Sequence, residues 1–190
     1  MKTLQRLKLG LFVVATLMLT TPATQALADQ PGPYYATPSW DQTLQCDTQA
    51  TCPRFIVLSN WGGAAVLDRE TGLVWEKSPS TSTFIWNDQA SFHCNNLAVG
   101  NRIGWKLPTL QELASLVDRD PANTSNRRLP PGHPFLNVQP SSGYWSASTL
   151  ASDTSSAWGV SFVDGNVGFN FKSNAFFVWC VRGGPGVDIQ

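Results

Sequence analysis

Cysteines are the residues of this sequence with the widest chemical scope, and there are four of them. A thiolate can attack a substrate, bind zinc, or join a second cysteine in a disulfide. Zinc ligands usually include closely spaced pairs of the CxxC type, and this sequence has none. The two histidines, His93 and His133, do not cluster with cysteines as zinc ligands do. The spacing therefore argues against a metal site.

The N-terminus has the features of a secretory signal peptide. Lys2, Arg6 and Lys8 precede an apolar stretch from Leu9 to Leu19, and Ala26-Leu27-Ala28 provides a small-x-small cleavage site. The apolar stretch is shorter than the ~20 residues that span a bilayer, so we predict no integral membrane span. Cleavage after residue 28 leaves 162 of the 190 residues, which is one domain of ordinary size. We predict an exported protein, periplasmic or extracellular.

The charge balance of the exported part excludes a general polyanion binder. The signal peptide carries three of the 13 basic residues and none of the 13 acidic ones, which leaves a net charge of −3. Nucleic-acid recognition normally requires a basic face. We therefore predict no nucleic-acid partner.

All four cysteines lie in the exported part, where an even number favours two disulfides. The sequence allows three pairings. We predict Cys46–Cys52, because a separation of six residues suits a local loop, and Cys94–Cys180, which would tie a helix to the last strand.

Catalytic signatures are absent from the sequence, including GxSxG, the P-loop, GxGxxG and HExxH. The cysteines are assigned to disulfides, and neither histidine has an identifiable acid or nucleophile beside it. We predict a non-catalytic protein without a cofactor, in which His93 is a surface or partly buried structural residue.

Trp86-Asn87-Asp88 copies a tripeptide that calcium-dependent lectins use near their ion. Those lectins carry it close to the last strand, whereas here it opens a predicted helix. Calcium needs six to eight oxygens at one point, so we predict no calcium site and interpret Asn87 or Asp88 as a helix cap.

Eight tryptophans could suggest stacking against sugars, but most fall on predicted inward or strand positions, where a large ring contributes to a core. The core assignments are Trp75, Trp86, Trp145, Trp158 and Trp179. Trp40, Trp61 and Trp105 lie in less regular stretches and are the candidates for ligand contact.

Short apolar runs separated by turn residues predict a strand meander at the start of the ordered part. The runs are Phe55–Leu58, Ala64–Leu67 and Leu73–Trp75. Residues 29–54, before and at the edge of these runs, are rich in proline and predict an irregular lead-in with a local disulfide loop.

Two helices are predicted after the meander. In the first, apolar residues at offsets of four, eight and eleven share one face, which directs Cys94 inward. They are Trp86, Ala90, Cys94 and Leu97. In the second, Thr109 and Glu112 form a capping box ahead of a buried stripe. The stripe is Leu110, Leu113, Leu116 and Val117.

The last third of the chain is predicted to be β, after a long surface loop at 120–143 anchored by Phe135 and Leu129. The strands are Tyr144–Ser146, Trp158–Val163, Val167–Phe171 and Phe176–Arg182. Asp164-Gly165 is a strong hairpin signal. Alternation predicts a buried row of Trp158, Val160, Phe162, Val167, Phe169 and Phe171, and an outward row of Ser161, Asn166, Gly168, Asn170 and Lys172. The final strand is apolar on both faces, which predicts a central position in the sheet.

These elements predict an α+β fold, with two helices packed on a small, mainly antiparallel sheet that is rich in loops and held by disulfides. Five separated blocks occur in order between about residues 55 and 184. They are Asp68–Trp75, then Trp86 with Ala90 and Cys94, then Gly104–Leu113, Tyr144–Ser146 and Val181–Gly184. This succession resembles the Lcl C-terminal domain family, with Lys106 standing where the family usually has arginine. The resemblance assigns residues 55–184 to such a domain and leaves 185–190 as a tail.

The resemblance implies a C-type-lectin-like fold, related to the formylglycine-generating-enzyme fold and to the variable proteins of diversity-generating retroelements. In those variable proteins, outward residues of the last hairpin and adjoining loops contact ligands. Carried over by position, this nominates Ser148, Asp153, Trp158, Asn166, Asn170, Lys172 and Asn174. Trp158 is nominated although alternation assigns it to the buried row.

The function predicted on this basis is a binding module that presents the polar face of the hairpin and the 120–143 loop to a glycan or an extracytoplasmic protein. Two alternatives stay open. One is an enzyme of the formylglycine-generating type, which would need a reactive thiol. The other is a structural subunit of a cell-surface assembly, which an apolar exposed face would favour. The sequence assigns no oligomeric state.

Overall fold

The computed structural model describes residues 53–125 and 127–183. The predicted signal peptide (1–28), almost all of the predicted lead-in (29–52), the Cys46–Cys52 pair and the predicted tail (185–190) lie outside these ranges. None of the helices within them is long and apolar enough to cross a membrane.

The described chain combines short strands with a few short helices. The strands are β1 (Phe55–Val57), β2 (Ala65–Asp68), β3 (Val74–Glu76), β4 (Thr83–Ile85), β5 (Tyr144–Thr149), β6 (Ser156–Val160), β7 (Val167–Phe171), β8 (Ala175–Phe177) and β9 (Val181–Arg182). A π-helical turn, Trp86–Ala90, runs directly into α1 (Ser91–Asn95), and α2 is Leu110–Ala114. The predicted α+β class is confirmed.

The strands form two sheets where one was predicted. The first has the order β1-β2-β3-β9 and the second the order β4-β8-β5-β6-β7. The predicted meander is confirmed, because β1, β2 and β3 pair antiparallel in succession. In the second sheet every pair is antiparallel except β5 with β8.

The predicted final strand, Phe176–Arg182, is wrong as a single strand. Its first two residues belong to β8, which pairs with β4 in the second sheet, and its last two residues form β9, which pairs with β3 in the first. Residues 178–180 between them are fully buried. This segment crosses from one sheet to the other, and both of its sides are buried. Its two apolar faces therefore have the same cause as those of a central strand, namely burial on both sides.

A disulfide joins α1 to this crossing segment. Cys94 and Cys180 are bonded, with their Cα atoms 5.4 Å apart, and both residues are fully buried. The predicted pairing is thus confirmed for these two cysteines. The bond connects residues 86 positions apart, so it closes a long loop that contains α2 and the second sheet's hairpin.

Two clusters of buried apolar residues form the core. One lies beneath α2 and includes Trp75, Leu113, Tyr144, Phe162 and Trp179. The other surrounds the disulfide and includes Trp61, Trp105, Trp145 and Val178. Leu129 and Phe135 belong to the first cluster, so the predicted anchors of the 120–143 loop are confirmed.

The start of α2 follows the predicted capping box. The Glu112 backbone N–H donates to Thr109 Oγ1 at 3.2 Å, and the Thr109 N–H donates to Glu112 Oε2 at 2.8 Å. The second Glu112 oxygen pairs with Lys106 Nζ at 2.8 Å. The Glu112 carboxylate therefore accepts a backbone N–H at the helix start and pairs with a cation at the same time.

The start of the first helical segment departs from the prediction. Asn87 and Asp88 lie inside the π-helical turn, Ile85 occupies the N-cap position, and no side chain caps the helix there. The Ile85 N–H instead donates to Gln89 Oε1 at 3.1 Å. The capping role predicted for Asn87 or Asp88 is therefore wrong.

The hairpin of β6 and β7 is confirmed, but half of its predicted buried row is exposed. Val160 and Phe162 are fully buried, whereas Val167, Phe169 and Phe171 are 39%, 58% and 58% exposed. The reason is position, because β7 is the outer strand of the second sheet and α2 packs over β5 and β6.

Glu76 is a buried carboxylic acid beside the disulfide. Its Oε2 accepts the Cys180 N–H at 2.8 Å, and none of the ion pairs among the described residues includes it. Burial raises the pKa of Glu76 to about 7, an effect that the Cys180 hydrogen bond partly offsets. The folded protein therefore favours the protonated acid more strongly than the unfolded chain does.

We expect this acid to make stability fall as the pH rises. Its contribution is fully present below the unfolded value of about 4.5 and is lost as the pH passes through about 7. The loss is about 3 kcal/mol in the free energy of unfolding. Denaturant titrations measure this fall as the slope of the unfolding free energy against pH. Glu76→Gln keeps an oxygen acceptor but no titrating group, so its slope between pH 4.5 and 8 should be much smaller. A slope equal to that of the parent protein would contradict the assignment.

Candidate functional site

Two of the seven nominated residues have their side chains engaged in the scaffold. Ser148 Oγ accepts the Leu110 N–H at 3.0 Å and so holds the first residue of α2. Trp158 is half-buried on the same face of β6 as Val160, and its ring meets Phe169 edge to face at 5.6 Å. The inward direction that alternation predicted for Trp158 agrees with this position.

Asn166 lies at the turn end of β7 and is exposed. Its backbone N–H and its Nδ2 donate to the two Asp164 carboxylate oxygens, at 3.2 and 2.5 Å. Hydrogen bonds, the strongest from Ser161, lower the pKa of Asp164. The turn therefore carries a fixed negative charge at neutral pH.

Four other nominated residues gather around the opposite end of β7. Asn170 Oδ1 accepts the Phe171 N–H at 2.9 Å and Asn174 Nδ2 at 2.6 Å. Asp153, in the turn before β6, accepts from Ser155 Oγ at 2.6 Å and Ser156 Oγ at 2.9 Å. These serine bonds lower the pKa of Asp153, and the Lys172 charge adds to the effect.

Lys172 is the fourth of these residues and is held at a defined position. Its Nζ lies 3.9 Å from the centroid of the Trp86 ring and donates to Thr149 Oγ1 at 2.9 Å. The Trp86 ring is in turn anchored by its Nε1, which donates to the Ser146 carbonyl at 2.7 Å. An ammonium group carries three donors, so this geometry leaves capacity for a ligand.

Lys172 borders an open depression of about 380 Å³, which we call the lysine depression. Its other lining residues are Asn87, Thr154, Ser155, Phe171 and Ser173. Hydroxyl and amide groups therefore surround a fixed cation. This composition suits a ligand with hydroxyl or anionic groups.

A second concavity, the glycine groove, lies farther along the same face of the hairpin. It measures about 200 Å³ and is floored by Gly143, Gly159 and Gly168, with Phe176 and Asn166 among its other lining residues. A Cβ on Gly159 would come within 2.7 Å of the Tyr144 carbonyl oxygen, so glycine is required there. Gly168, Asn170 and Lys172 occupy alternate positions, which places Asn170 between the groove and the depression.

Trp61 and Trp105 are not available for ligand contact, contrary to the expectation. They are 2% and 1% exposed and pack edge to face at 6.1 Å in the cluster around the disulfide. Their irregular sequence context gave no sign of this burial. Trp40 lies outside the described residues.

Sequence reasoning missed the residues that complete the lysine depression. Trp86 was assigned to the core, Asn87 was interpreted as a possible helix cap, and Thr154, Ser155 and Ser173 were not considered. The one available signal was the cluster of small polar residues at 152–156, next to a predicted strand. The Trp86–Lys172 contact joins residues far apart in sequence, and no periodicity reports such a contact.

His93 and the side chains that could ligate a metal were the other candidates for chemistry. His93 is partly buried, stacks on Phe84 at 4.5 Å, and has its pKa lowered by burial. Within 53–125 and 127–183, no three His, Cys, Asp or Glu side chains lie close enough together to hold a metal ion.

Residues 64–182 match the Lcl C-terminal domain family. The chain belongs to that family. The match covers every strand from β2 to β9 together with both helices and the disulfide. A search of curated proteins gave no match. β1 lies before the matched residues and completes the first sheet by pairing with β2.

The blocks that carry the resemblance to the Lcl C-terminal domain form the structural frame of the site. Asp68, in the first block, is fully buried and accepts Arg54 Nε and Nη2 at 2.9 and 2.8 Å and Thr71 Oγ1 at 2.9 Å. In the third block, Lys106 pairs with Glu112, so lysine fills the cationic role where the family usually has arginine. The nominated residues lie between these blocks.

Proposed function

We propose that this member of the Lcl C-terminal domain family is an exported, non-catalytic binding module. It recognises a glycan or an extracytoplasmic protein through the polar face formed by the glycine groove, Asn170 and the lysine depression. The observation that carries the proposal is Lys172, fixed on the Trp86 ring and Thr149 at the rim of a depression lined by amides and hydroxyls.

The chemistry of this face favours a hydroxyl-rich ligand. Asn170, Asn174 and Ser155 offer both donors and acceptors, and Phe176 adds an apolar ring next to the glycine floor. A glycan presents alternating hydroxyl groups and flat C–H surfaces, which match this combination. The fixed ammonium group adds a preference for ligands that also carry a carboxylate or sulfate.

Preorganisation supports binding through this face. The Lys172 head group and the Asn170 amide are already held by other side chains, so a ligand does not have to order them. Two hydrogen bonds to a ligand, one from the Lys172 ammonium group and one from the Asn170 amide, together contribute a few kcal/mol in a protected site. This fits a specific ligand of moderate affinity.

We expect Lys172→Ala to weaken ligand binding roughly tenfold and Asn170→Ala to weaken it by a smaller factor. The measurement begins with a glycan array and a panel of surface proteins, followed by titration calorimetry on the best ligand. Lys77→Ala is the matched control, because Lys77 directly follows β3 and so belongs to the other sheet. Affinity unchanged by Lys172→Ala and Asn170→Ala would refute the site.

The melting temperatures of these variants separate binding from folding. Lys172→Ala removes the cation–π contact with the Trp86 ring, and such a contact at the protein surface contributes about 1 kcal/mol to the free energy of unfolding. A variant that melts within a few degrees of the parent and binds poorly supports the proposal. A variant that loses binding because it unfolds would be replaced by Lys172→Met, which keeps the apolar stem over Trp86.

The competing enzyme function requires a reactive thiol. Cys94 and Cys180 are bonded to each other and buried, which supports the non-catalytic assignment for these two positions. Thiol titration of the native, unreduced protein tests the whole chain, Cys46 and Cys52 included. A thiol that reacts rapidly at neutral pH would favour the formylglycine-generating type instead.

We also assign the described residues to the C-type-lectin-like fold. Two small sheets, short helices and a disulfide that ties the first helix to the segment before the last strand support this assignment. Export is supported by the signal-peptide pattern and by the disulfide, because such bonds persist in oxidising compartments. Fractionation of the producing cell tests the location.

A further inference from the structure

β7 presents both an apolar row and a free strand edge. Val167, Phe169 and Phe171 point to one face and are 39%, 58% and 58% exposed. β7 pairs with β6 on one side, and no described strand pairs with its other side. Exposed edges that carry apolar side chains are pairing sites for another strand.

The direction of the backbone groups along β7 identifies which residues can pair. The Asn166 carbonyl accepts from Ser161 N–H, and the Lys172 N–H donates to the Ser155 carbonyl, so even-numbered residues face β6. Backbone groups alternate along a strand, so those of Val167, Phe169 and Phe171 face away. Those of Phe171 are engaged, because its N–H donates to Asn170 Oδ1 and its carbonyl accepts Asn174 N–H.

We propose that two copies of this chain associate by antiparallel pairing of their β7 strands about a two-fold axis at Gly168. In this register Val167 lies opposite the partner's Phe169, and Phe169 lies opposite the partner's Val167. Both are hydrogen-bonded pairs, so the available backbone groups of both strands are satisfied by four bonds. A two-fold axis makes the contact self-limiting, because both copies use the same β7 edge and thereby occupy it.

Gly168 fits the centre of this contact. Two residues on the axis form a non-hydrogen-bonded pair, in which the Cα atoms approach to about 4.5 Å. A Cβ built on Gly168 meets nothing within 4 Å in the single chain, so the position is open toward a partner. On the other face, Val167 packs beside the partner's Phe169, which shields the apolar row from water.

The charges at the two ends of β7 select the antiparallel arrangement. Asp164 lies just beyond one end and Lys172 just beyond the other, and no charged residue lies between them. In the proposed register Asp164 of each copy approaches Lys172 of the partner subunit. A parallel arrangement would instead bring like charges together at both ends, which is unfavourable.

A single cysteine at the axis tests the register directly. Gly168→Cys in the full-length protein should form an intermolecular disulfide on mild oxidation, because the paired Cα atoms lie within bridging distance. Asn166→Cys is the matched control, because its Cα lies about 13 Å from its own copy in this register. Peptide mapping should find the 168–168 link in most of the first variant and no 166–166 link in the second. The register would be overturned if the two variants cross-linked equally, or if neither cross-linked.

The mass of the unmodified protein tests the association itself. Light scattering and sedimentation should show a concentration-dependent dimer, weakened tenfold or more by Phe169→Lys. Phe92→Lys is the matched control, because Phe92 is 68% exposed on α1, away from this edge. A monomer at all concentrations, or a dimer that Phe169→Lys leaves intact, would refute the proposal. In either case the edge would serve another partner or none.

Discussion

Replacing Cys94 and Cys180 together by alanine is expected to lower the free energy of unfolding by ~4–5 kcal/mol. The bond closes a loop of 86 residues, and the entropy that a cross-link removes from the unfolded chain grows with the logarithm of loop length. For a protein of this size the loss corresponds to a drop of about 10–15 °C in melting temperature. Denaturant titration under oxidising conditions measures it.

A loss of this size in the free energy of unfolding should be specific to the Cys94–Cys180 disulfide. Cys46→Ala/Cys52→Ala provides the control, since a bond between these residues would close a loop of only six and contribute about 2 kcal/mol by the same relation. Peptide mapping of the oxidised parent should recover the Cys94–Cys180 link. Recovery of either residue in a different pair, or a cost below about 1 kcal/mol, would contradict the structural role given to this bond.

Asp68→Ala is expected to cost ~3–5 kcal/mol, because it leaves a largely buried cation without its main partner. The Asp68 carboxylate is fully buried and bonds to Arg54, to Thr71 Oγ1 and to the Glu70 backbone N–H. Arg54 keeps a bond to the Ser115 carbonyl at 2.8 Å, which limits the loss. Urea titration of Asp68→Ala against the parent provides the measurement.

Glu70→Ala is the internal control for that prediction. Glu70 Oε2 contacts the same guanidinium, at 2.9 Å, but its side chain is 28% exposed, against 0% for Asp68. An exposed ion pair contributes at most about 1 kcal/mol, so Glu70→Ala should be nearly neutral. Similar costs for the two variants would show that burial does not distinguish the two carboxylates.

These two features bear on the site because both hold the frame around the hairpin. The disulfide attaches the segment that follows Trp86 to the crossing between the sheets, and Trp86 supports Lys172. The Asp68 cluster joins the first sheet to the end of α2 through Arg54 and Ser115. Destabilising either feature is therefore expected to loosen the polar face, although neither feature contributes a residue to that face.

Local patterns in the sequence determined those features that depend on neighbours in the chain. The capping box needs only Thr109 and Glu112, three residues apart, and it forms as predicted. Helical spacing directed Cys94 inward, where it meets Cys180. The Asp164-Gly165 turn and the bounds of β7 were also predicted, because a hairpin is a contact between adjacent segments.

Tertiary structure alone decided which apolar segments are covered. Periodicity gives the spacing of apolar residues, but it cannot report which sheet a strand joins or whether that strand lies at an edge. For this reason one predicted final strand became β8 and β9, and Phe169 is exposed although Trp158, with the same alternation, is half-buried. Trp61 and Trp105 are buried for the complementary reason, since distant segments close over them. The Lys172–Trp86 contact likewise depends on the path of the chain, because the two residues lie far apart in sequence.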